Sequence, residues 1–419
     1  MTIKIHKEPP IGRPIVASVD SVTYYISSYL DKKLQPVMKS LATYLRNTDD
    51  LIIDIETNPQ LQKMNSQHSI YTADIKDMYP SINIKDGLEK LQIAIEEYNT
   101  KIDVSRIIQT DFIIELAHFV LTNNYFKFGE DTYWLQISGT AMGTPLAVTF
   151  ACIYIGQLEK QAFDTLSLKN ALPYYYKRYI DDIFAIFNKE ADQILFHSTF
   201  NNIRPGKIQL LPTNTGRSAI FMDLHITLNI DNRIDIKIYQ KPQNSYLYLP
   251  PSSFHQRHVF KNTIIAELNR YKLKCTYAYD YEEIKQSFYT RLIARGYKIE
   301  YLQTIFQQVN NINRKDLIHK LILKYNIKNT KNTNTPVVFV ATNTSLTRYL
   351  NLSNIIKPTE ELDSSPLCPL LFPRHKGSHR PIIAYKRTSN MREVLTKSTY
   401  NYPLGYNIEN TNNSTDEKL

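Results

Sequence analysis

Residues 177–187 read KRYIDDIFAIF, placing two neighbouring carboxylates, Asp181 and Asp182, inside an otherwise apolar, β-prone run. Burying polar groups there without partners costs several kcal/mol, roughly 2–7 even for a neutral one. Something must offset that cost, either water at a tight turn or a metal ion. A third carboxylate, Asp74, begins DIKDMY directly after another short β-like step. If the strand around 71–75 lies beside a hairpin over 175–187, Asp74 and the Asp pair converge at one sheet edge. Mg²⁺ is commonly held by only one or two protein carboxylates plus substrate phosphates. Two such ions about 3.5–4 Å apart stabilise both the attacking and the leaving oxygen of an in-line displacement. Strand alternation points one of two adjacent residues toward Asp74 and the other mostly away. Asp74 and Asp181 are therefore expected as principal ligands, with Asp182 as an auxiliary charge. An isolated Asp-Asp is also a common solvated turn, so its surroundings must decide.

The elements that position these residues follow from hydrophobic periodicity. Helices are expected over 21–46, 88–98 and 104–123, and again from Thr144 to Phe163, where Pro145 opens the first turn,. A hairpin is expected at 125–137, with aromatics around a Gly-Glu-Asp turn, and another at 175–187,. Residues 219–229 and 234–240 read as one strand pair across Asp-Asn. Residues 261–325 are largely helical with Lys and Arg on polar faces, and 326–335 read as a polar linker. The closing TNNSTDEKL has the composition of a disordered tail,. Helices inserted between antiparallel hairpins, followed by a helical region, predict the α+β class.

With 419 residues, 42% of them hydrophobic, the chain can bury a core and suits two or three domains,. Its net charge of +10 fits a polyanionic partner such as nucleic acid,. The 30 Tyr and 17 Phe can stack on bases or fill a core,. Cys152, Cys275 and Cys368 are scattered, so no disulfide framework or paired metal spacing is expected, which points to a reducing compartment,. The N-terminus has no apolar signal core, and the apolar run 147–156 falls short of the roughly 18 residues a membrane span needs,. An intracellular protein of nucleus or cytoplasm, without membrane partners, is expected.

Four ordered segments bring a resemblance into view. YIDD at 179–182 resembles the Tyr-x-Asp-Asp motif of reverse transcriptases, and TADIKDMYPSI (72–82) resembles their motif A, with an aromatic five positions after the Asp. QISGTAMGTPLAVTFACIYIGQLE (136–159) is similar to motif B. FMDLHITL (221–228) and IKIYQKPQNSYLY (236–248) are similar to the strands that follow the catalytic hairpin. The N-terminal KIHKEPPIGRPIV, the stretch 248–276 with Ser-x-x-His-x-x-His, RGY at 295–297 and KRTSNMREVLTKS (386–398) resemble Penelope-like retroelement reverse transcriptases in particular. The family's longer N-terminal region and C-terminal GIY-YIG nuclease have no counterpart motif here. IYIG at 153–156 lies inside the motif B helix, so a polymerase region alone is expected.

The resemblance implies a right-hand polymerase. Residues 1–69 would contribute the fingers, 70–235 the palm with a fingers insertion, and 236–330 the primer grip and helical thumb. Residues 331–400 would close the polymerase region and 401–419 form the tail. It implies RNA-directed DNA synthesis on an RNA template from a DNA primer and dNTPs. Two Mg²⁺, or Mn²⁺ in substitution, would be held by Asp74, Asp181 and Asp182. Arg13 becomes the triphosphate clamp, helped by Lys4 or Lys7, since guanidinium binds phosphate bidentately. Tyr79 becomes the gate against a ribose 2′-OH. Gln136, Gly139 and Gly143 form the loop against nucleotide and template, where glycine allows close backbone approach. Lys207 is a candidate general acid for the leaving pyrophosphate, and Lys241, Tyr246 and Tyr248 would lie near the primer. His255 and His258 give H-x-x-H but have no third ligand at suitable spacing, so zinc is not expected. The alternatives are a catalytically silent nucleic-acid-binding protein of retroelement origin and an RNA-dependent RNA polymerase.

Overall fold

Asn47 and Asn83 each precede a helix and accept a backbone N–H three residues on, from Asp50 and Asp86, the usual start of a capped helix,. The structure is a computed structural model that describes residues 2–4, 11–13, 16, 18–19, 21–127, 132–330, 338–342 and 382–386. β1 (Thr2–Lys4) and β2 (Ile11–Arg13) pair antiparallel. Helix α1 (Tyr24–Lys39) ends earlier than its pattern suggests. Residues 43–45 leave it to pair with Arg178, whose N–H and C=O bond Thr43 and Leu45. The chain then re-enters a helix as α2 (Thr48–Thr57).

β3 (Ser69–Ile75), the single turn α3 (Met78–Ser81) and α4 (Ile84–Asn99) follow. The helix expected over 104–123 is a 3₁₀ turn at Val104–Arg106 and then α5 (Thr110–Thr122). β4 (Tyr125–Lys127) and β5 (Tyr133–Leu135) form the expected aromatic hairpin. Helix α6 (Pro145–Ser167) starts at its proline and is buried on nearly every side through Glu159. β6 (Tyr175–Tyr179) and β7 (Asp182–Phe187) make the second hairpin. Helix α7 (Glu190–Ile203) and strand β8 (Leu210–Gly216) come next. The stretch expected as one strand, 219–229, is itself a hairpin of β9 (Ser218–Phe221) and β10 (Leu224–Leu228), folded at Met222–Asp223. β10 also pairs with β11 (Ile234–Ile238). Helices α8 (Arg257–Leu273), α9 (Ala278–Ala294), α10 (Ile299–Asn310) and α11 (Arg314–Thr330) complete this part, the last running into the stretch expected as linker.

Met1–Tyr325 and Asn326–Leu419 are two compact units. In the second, β12 (Val338–Thr342) and β13 (Ile382–Lys386) pair in parallel. The tail and nearly all of KRTSNMREVLTKS lie outside the described residues. Among the described residues no helix is long and apolar enough to cross a membrane.

The central sheet of the first unit runs β6-β7-β3-β8, every pair antiparallel. Both faces of β7 are buried, which explains its unbroken apolar run. Ile183, Ala185 and Phe187 join Ala73 and Ile75 in the core built on α6, while Phe184 and Ile186 join Ile70 in the core under α2 and β9–β11. Asp74 lies opposite Asp182 in register. Both sit on the face that carries Ile70, Phe184 and Ile186, where burial gives way from full to partial. Pro212 is tolerated because β8 is an edge strand that bulges at Thr72/Ala73,. Helices α8, α9 and α10 close their own core around Leu268, Tyr271, Phe288 and Leu302.

Candidate active site

Tyr179 pairs with Asp182, so Ile180 and Asp181 form a two-residue hairpin turn. Ile180 has φ +54°, a left-handed conformation that a β-branched side chain rarely adopts,. The first central position of such a turn is usually glycine. The Asp181 carbonyl accepts the N–H of Ile75 at 3.0 Å, which fastens the turn to the end of β3. All three half-buried carboxylates, Asp74, Asp181 and Asp182, offer an oxygen within 4.8 Å of one another. The expectation that Asp182 turns mostly away is therefore corrected. Alternation applies along a strand, but Asp181 lies in the turn, which leaves both neighbours free to face Asp74.

Burial, followed by the like charges of Asp181 and Asp74, pushes the Asp182 carboxyl up to about 6, with Lys241 pulling weakly the other way. Among the described residues no Lys or Arg forms an ion pair with Asp181 or Asp182. Three clustered, half-buried carboxylates offer oxygen-only ligands, the donor set that suits a hard divalent cation such as Mg²⁺,.

Tyr79 lies in α3, packed against the larger core. Burial, and then the nearby Cys152 and Asp181, raise its phenol far above the ordinary value. Its carbonyl accepts the N–H of Thr140 at 2.9 Å, so α3 and the 136–143 loop are in direct contact. Gly139 makes this possible. It has φ +73°, and a Cβ there would meet Pro80 Cα at 2.5 Å. Its missing side chain thus serves the contact with Tyr79–Pro80. Gln136 donates to the Ser138 carbonyl at 2.8 Å and shapes the same loop. The Gly143 carbonyl accepts the Ser18 hydroxyl at 2.9 Å. Lys207 is exposed after α7, and among the described residues its side chain forms no ion pair with the carboxylates. Arg13 pairs with Thr2 and Lys4 with Ile11 in the β1–β2 ladder, and their side chains lie, with all of Lys7, outside the described residues.

Lys241 lines a cavity of about 440 Å³ with Met222, Asp223, Tyr239, Tyr246 and Arg270. The Tyr246 ring lies 4.0 Å beneath the Arg291 guanidinium. Tyr248 differs from the other two. Its hydroxyl pairs with that of Tyr271 at 3.0 Å and its ring packs on Phe288, so it belongs to the helical core rather than to a free stacking surface. His255 is exposed and bonded to Ser253 at 2.8 Å, and the described residues hold no metal-type cluster besides the three Asp.

With this geometry in place, the chain can be compared with solved structures. It superposes on telomerase from Candida albicans in complex with a fragment of telomeric RNA, with a TM-score of 0.51 and 13% identity, over 73% of this chain and 57% of that one. The fold is that of a right-hand polymerase. Apo telomerase from Candida tropicalis matches with a TM-score of 0.42 at 16% identity, over 76% of this chain and 61% of that one. The RNA-dependent RNA polymerase of bacteriophage phi12 matches at 0.39 and 15%, over 72% and 48%. The chain spans less than two thirds of each of these structures, and the fold assignment rests on the Candida albicans superposition. Residues 247–307 match the animal helix-turn-helix domain family. No curated protein matches the chain in sequence.

Within the polymerase fold, two charged groups escaped the sequence reading. Asp223 accepts from the Thr48 hydroxyl at 2.7 Å, Arg270 at 2.9 Å and Lys274 at 2.5 Å. Nothing local announces partners 175 and about 50 residues away. Arg178 and Glu159 are both fully buried and paired at 2.6 Å. A signal for them existed: Arg178 is a cation in the apolar hairpin, and Glu159 is the first acid after a long apolar stretch of α6.

Proposed function

We propose that this chain is an RNA-directed DNA polymerase of a retroelement, of the Penelope-like kind. The observation that carries the reading is the convergence of Asp74, Asp181 and Asp182 from two paired strands of a right-hand fold. Divalent ions bound there would stabilise the attacking primer 3′-OH and the leaving pyrophosphate in an in-line displacement. Asp74, Asp181 and Asp182 hold the charge. Tyr79, fixed by the 136–143 loop, walls the position of the nucleotide sugar and favours dNTPs. Arg13 clamps the triphosphate, and Lys207 is the candidate proton donor to pyrophosphate. Lys241 and Tyr246 border the cavity offered to the primer end, beside the helices that follow the backbone of the duplex. The N-terminal KIHKEPPIGRPIV and the Ser-x-x-His-x-x-His stretch support the Penelope-like assignment.

Primer extension on an RNA template with dNTPs and Mg²⁺ tests the reading. Extension by the wild type and its loss in Asp181→Asn are expected; equal extension by both proteins sinks the ion site. Tyr79→Ala should admit rNTPs more readily, and a wild type that already prefers rNTPs overturns the substrate assignment.

A further inference from the structure

The guanidinium of Arg178 reaches from strand β6 to the turn that carries the catalytic pair. Its Nε and Nη2 donate to the two carboxylate oxygens of Glu159, at 2.6 and 3.2 Å. Nη2 also donates to the Cys152 carbonyl at 3.0 Å, and Nη1 donates to the Ile180 carbonyl at 2.8 Å. Glu159 accepts two further hydroxyls, from Tyr176 at 2.7 Å and Thr43 at 2.6 Å. Both charged residues have 0% relative exposure.

A buried ion pair stabilises a fold little more than a well-packed apolar pair of similar volume, and often less. Folding alone therefore gives weak reason for Arg178 and Glu159. What an apolar pair could not supply is the donor to Ile180. That carbonyl belongs to the peptide joining Ile180 to Asp181, so holding it holds the plane from which the Asp181 side chain departs. The same peptide follows a β-branched residue at φ +54°, a conformation that persists only where its surroundings impose it,. A planar fork with several donors can grip Glu159, Cys152 and Ile180 together, which a lysine ammonium cannot.

We infer that Arg178, held in orientation by Glu159, is a positioning residue that clamps the Ile180–Asp181 peptide so that the three carboxylates face a common ion. The inference rests on the ion site of the proposed function, and it concerns a residue that touches neither nucleotide nor ion. Three predictions separate it from a merely structural role. Arg178→Lys weakens the ion site. So does the paired change Arg178→Met with Glu159→Met, which leaves no uncompensated buried charge. Adding Ile180→Gly to that pair restores ion binding, because glycine takes the left-handed turn without a clamp.

The experiment measures Mn²⁺ affinity of the full chain by electron paramagnetic resonance, with thermal unfolding of each variant alongside. Affinity is expected to fall about 10–100-fold in Arg178→Lys and in the Met pair, as for lost supports of metal ligands, and to recover in the triple variant. Tyr176→Phe, which removes one hydroxyl from Glu159, is the mild variant should the others fail to fold; it shifts affinity the same way by less. Wild-type affinity in every folded member of the series overturns the inference, as does a wild type that binds no Mn²⁺ at the cluster. Extension is assayed separately. A wild type that binds Mn²⁺ but extends no primer removes the proposed function and leaves the clamp to be judged on binding alone.

Discussion

Two turns of this molecule share a backbone and differ in their electrostatics. Ile180–Asp181 links β6 to β7, and Met222–Asp223 links β9 to β10. Each begins with a bulky residue held left-handed, at φ +54° and +55°. In each, the Asp carbonyl accepts a neighbouring strand's N–H, from Ile75 at 3.0 Å and Tyr239 at 2.8 Å. Burial would raise the Asp223 carboxyl, but hydrogen bonds and charge from Lys274, Thr48 and Arg270 outweigh it and hold the group below its ordinary value. Asp182, beside the first turn, is pushed the other way. At Asp223 the protein supplies the cations, joining the β9–β10 turn to the end of α8. At Asp181 and Asp182 no Lys or Arg of the described residues forms an ion pair, an arrangement compatible with a divalent ion.

The largest expected effect is the loss of catalysis when the first turn is altered. Asp181→Asn should lower primer extension by at least about 10²–10³-fold, the scale for removing one preorganised electrostatic group. The variant should still bind RNA, and a filter-binding measurement checks that. Extension within a few fold of wild type would mean that the two turns do not differ in function.

Stability should then separate the turns by sign. The Asp182 carboxyl sits at about 6 against an ordinary 3.8, so its charged form is disfavoured in the folded chain. That penalty is absent below the ordinary value, grows as pH rises between the two, and is complete above about 6. Asp182→Asn should accordingly raise the ion-free melting temperature near pH 7, with the gain fading toward pH 4. Asp223 is held below the ordinary value, so its contribution is complete above 3.8 and is lost as pH falls further. Asp223→Asn should cost about 1.5–3 kcal/mol, the scale for hydrogen bonds to a charged group, and should still cost nearly as much near pH 4. Two variants moving in the same direction at pH 7 would break the comparison. Calorimetry at both pH values decides it.

Added Mg²⁺ sharpens the same contrast by a smaller amount. A ligand that binds only the folded state stabilises it by RT ln(1 + [L]/Kd), about 2.7 kcal/mol at a hundred times Kd. Wild type and Asp223→Asn should both gain melting temperature with Mg²⁺, and Asp182→Asn should gain much less. Equal Mg²⁺ shifts in all three would place the bound ion elsewhere.

The difference in electrostatics also explains what could be read from the sequence. Asp74, Asp181 and Asp182 were legible because their strands are short, apolar and ordered, and a carboxylate in such a run demands an explanation. Strand register brings Asp74 opposite Asp182, and the turn adds Asp181 beside them. Asp223 was hidden because AIFMDLHITLN contains no Gly, Pro or Asn before the turn, and a methionine does not advertise a left-handed φ. A hairpin was therefore read as one strand. Its cation partners, Arg270 and Lys274, lie in the last turn and at the C-cap of a helix that looks simply basic. Arg178 and Glu159 are 19 residues apart on a strand and a helix, with no shared period to reveal them. Sequence shows the residues that violate their local surroundings; it is silent on distant partners that make a violation tolerable.

The smallest expected effect concerns the two left-handed residues themselves. Strain of this kind is worth on the order of 1–3 kcal/mol, while glycine costs roughly 0.5–1 kcal/mol in unfolded-chain entropy. Ile180 and Met222 also pack partly against the two cores that flank the central sheet, and glycine gives that contact up. These contributions nearly cancel, so Ile180→Gly and Met222→Gly should each change unfolding free energy by less than about 1 kcal/mol. With Arg178 in place, Ile180→Gly should leave Mg²⁺ affinity close to wild type, because the clamp and not the side chain sets the peptide. Met222→Gly should leave the lowered titration of Asp223 unchanged, since three side chains hold that carboxylate. Carboxyl titration by NMR and Mg²⁺ binding read the two outcomes. A large loss of Mg²⁺ affinity in Ile180→Gly would transfer the positioning role from Arg178 to the isoleucine side chain, and the turns would then differ in packing rather than in charge.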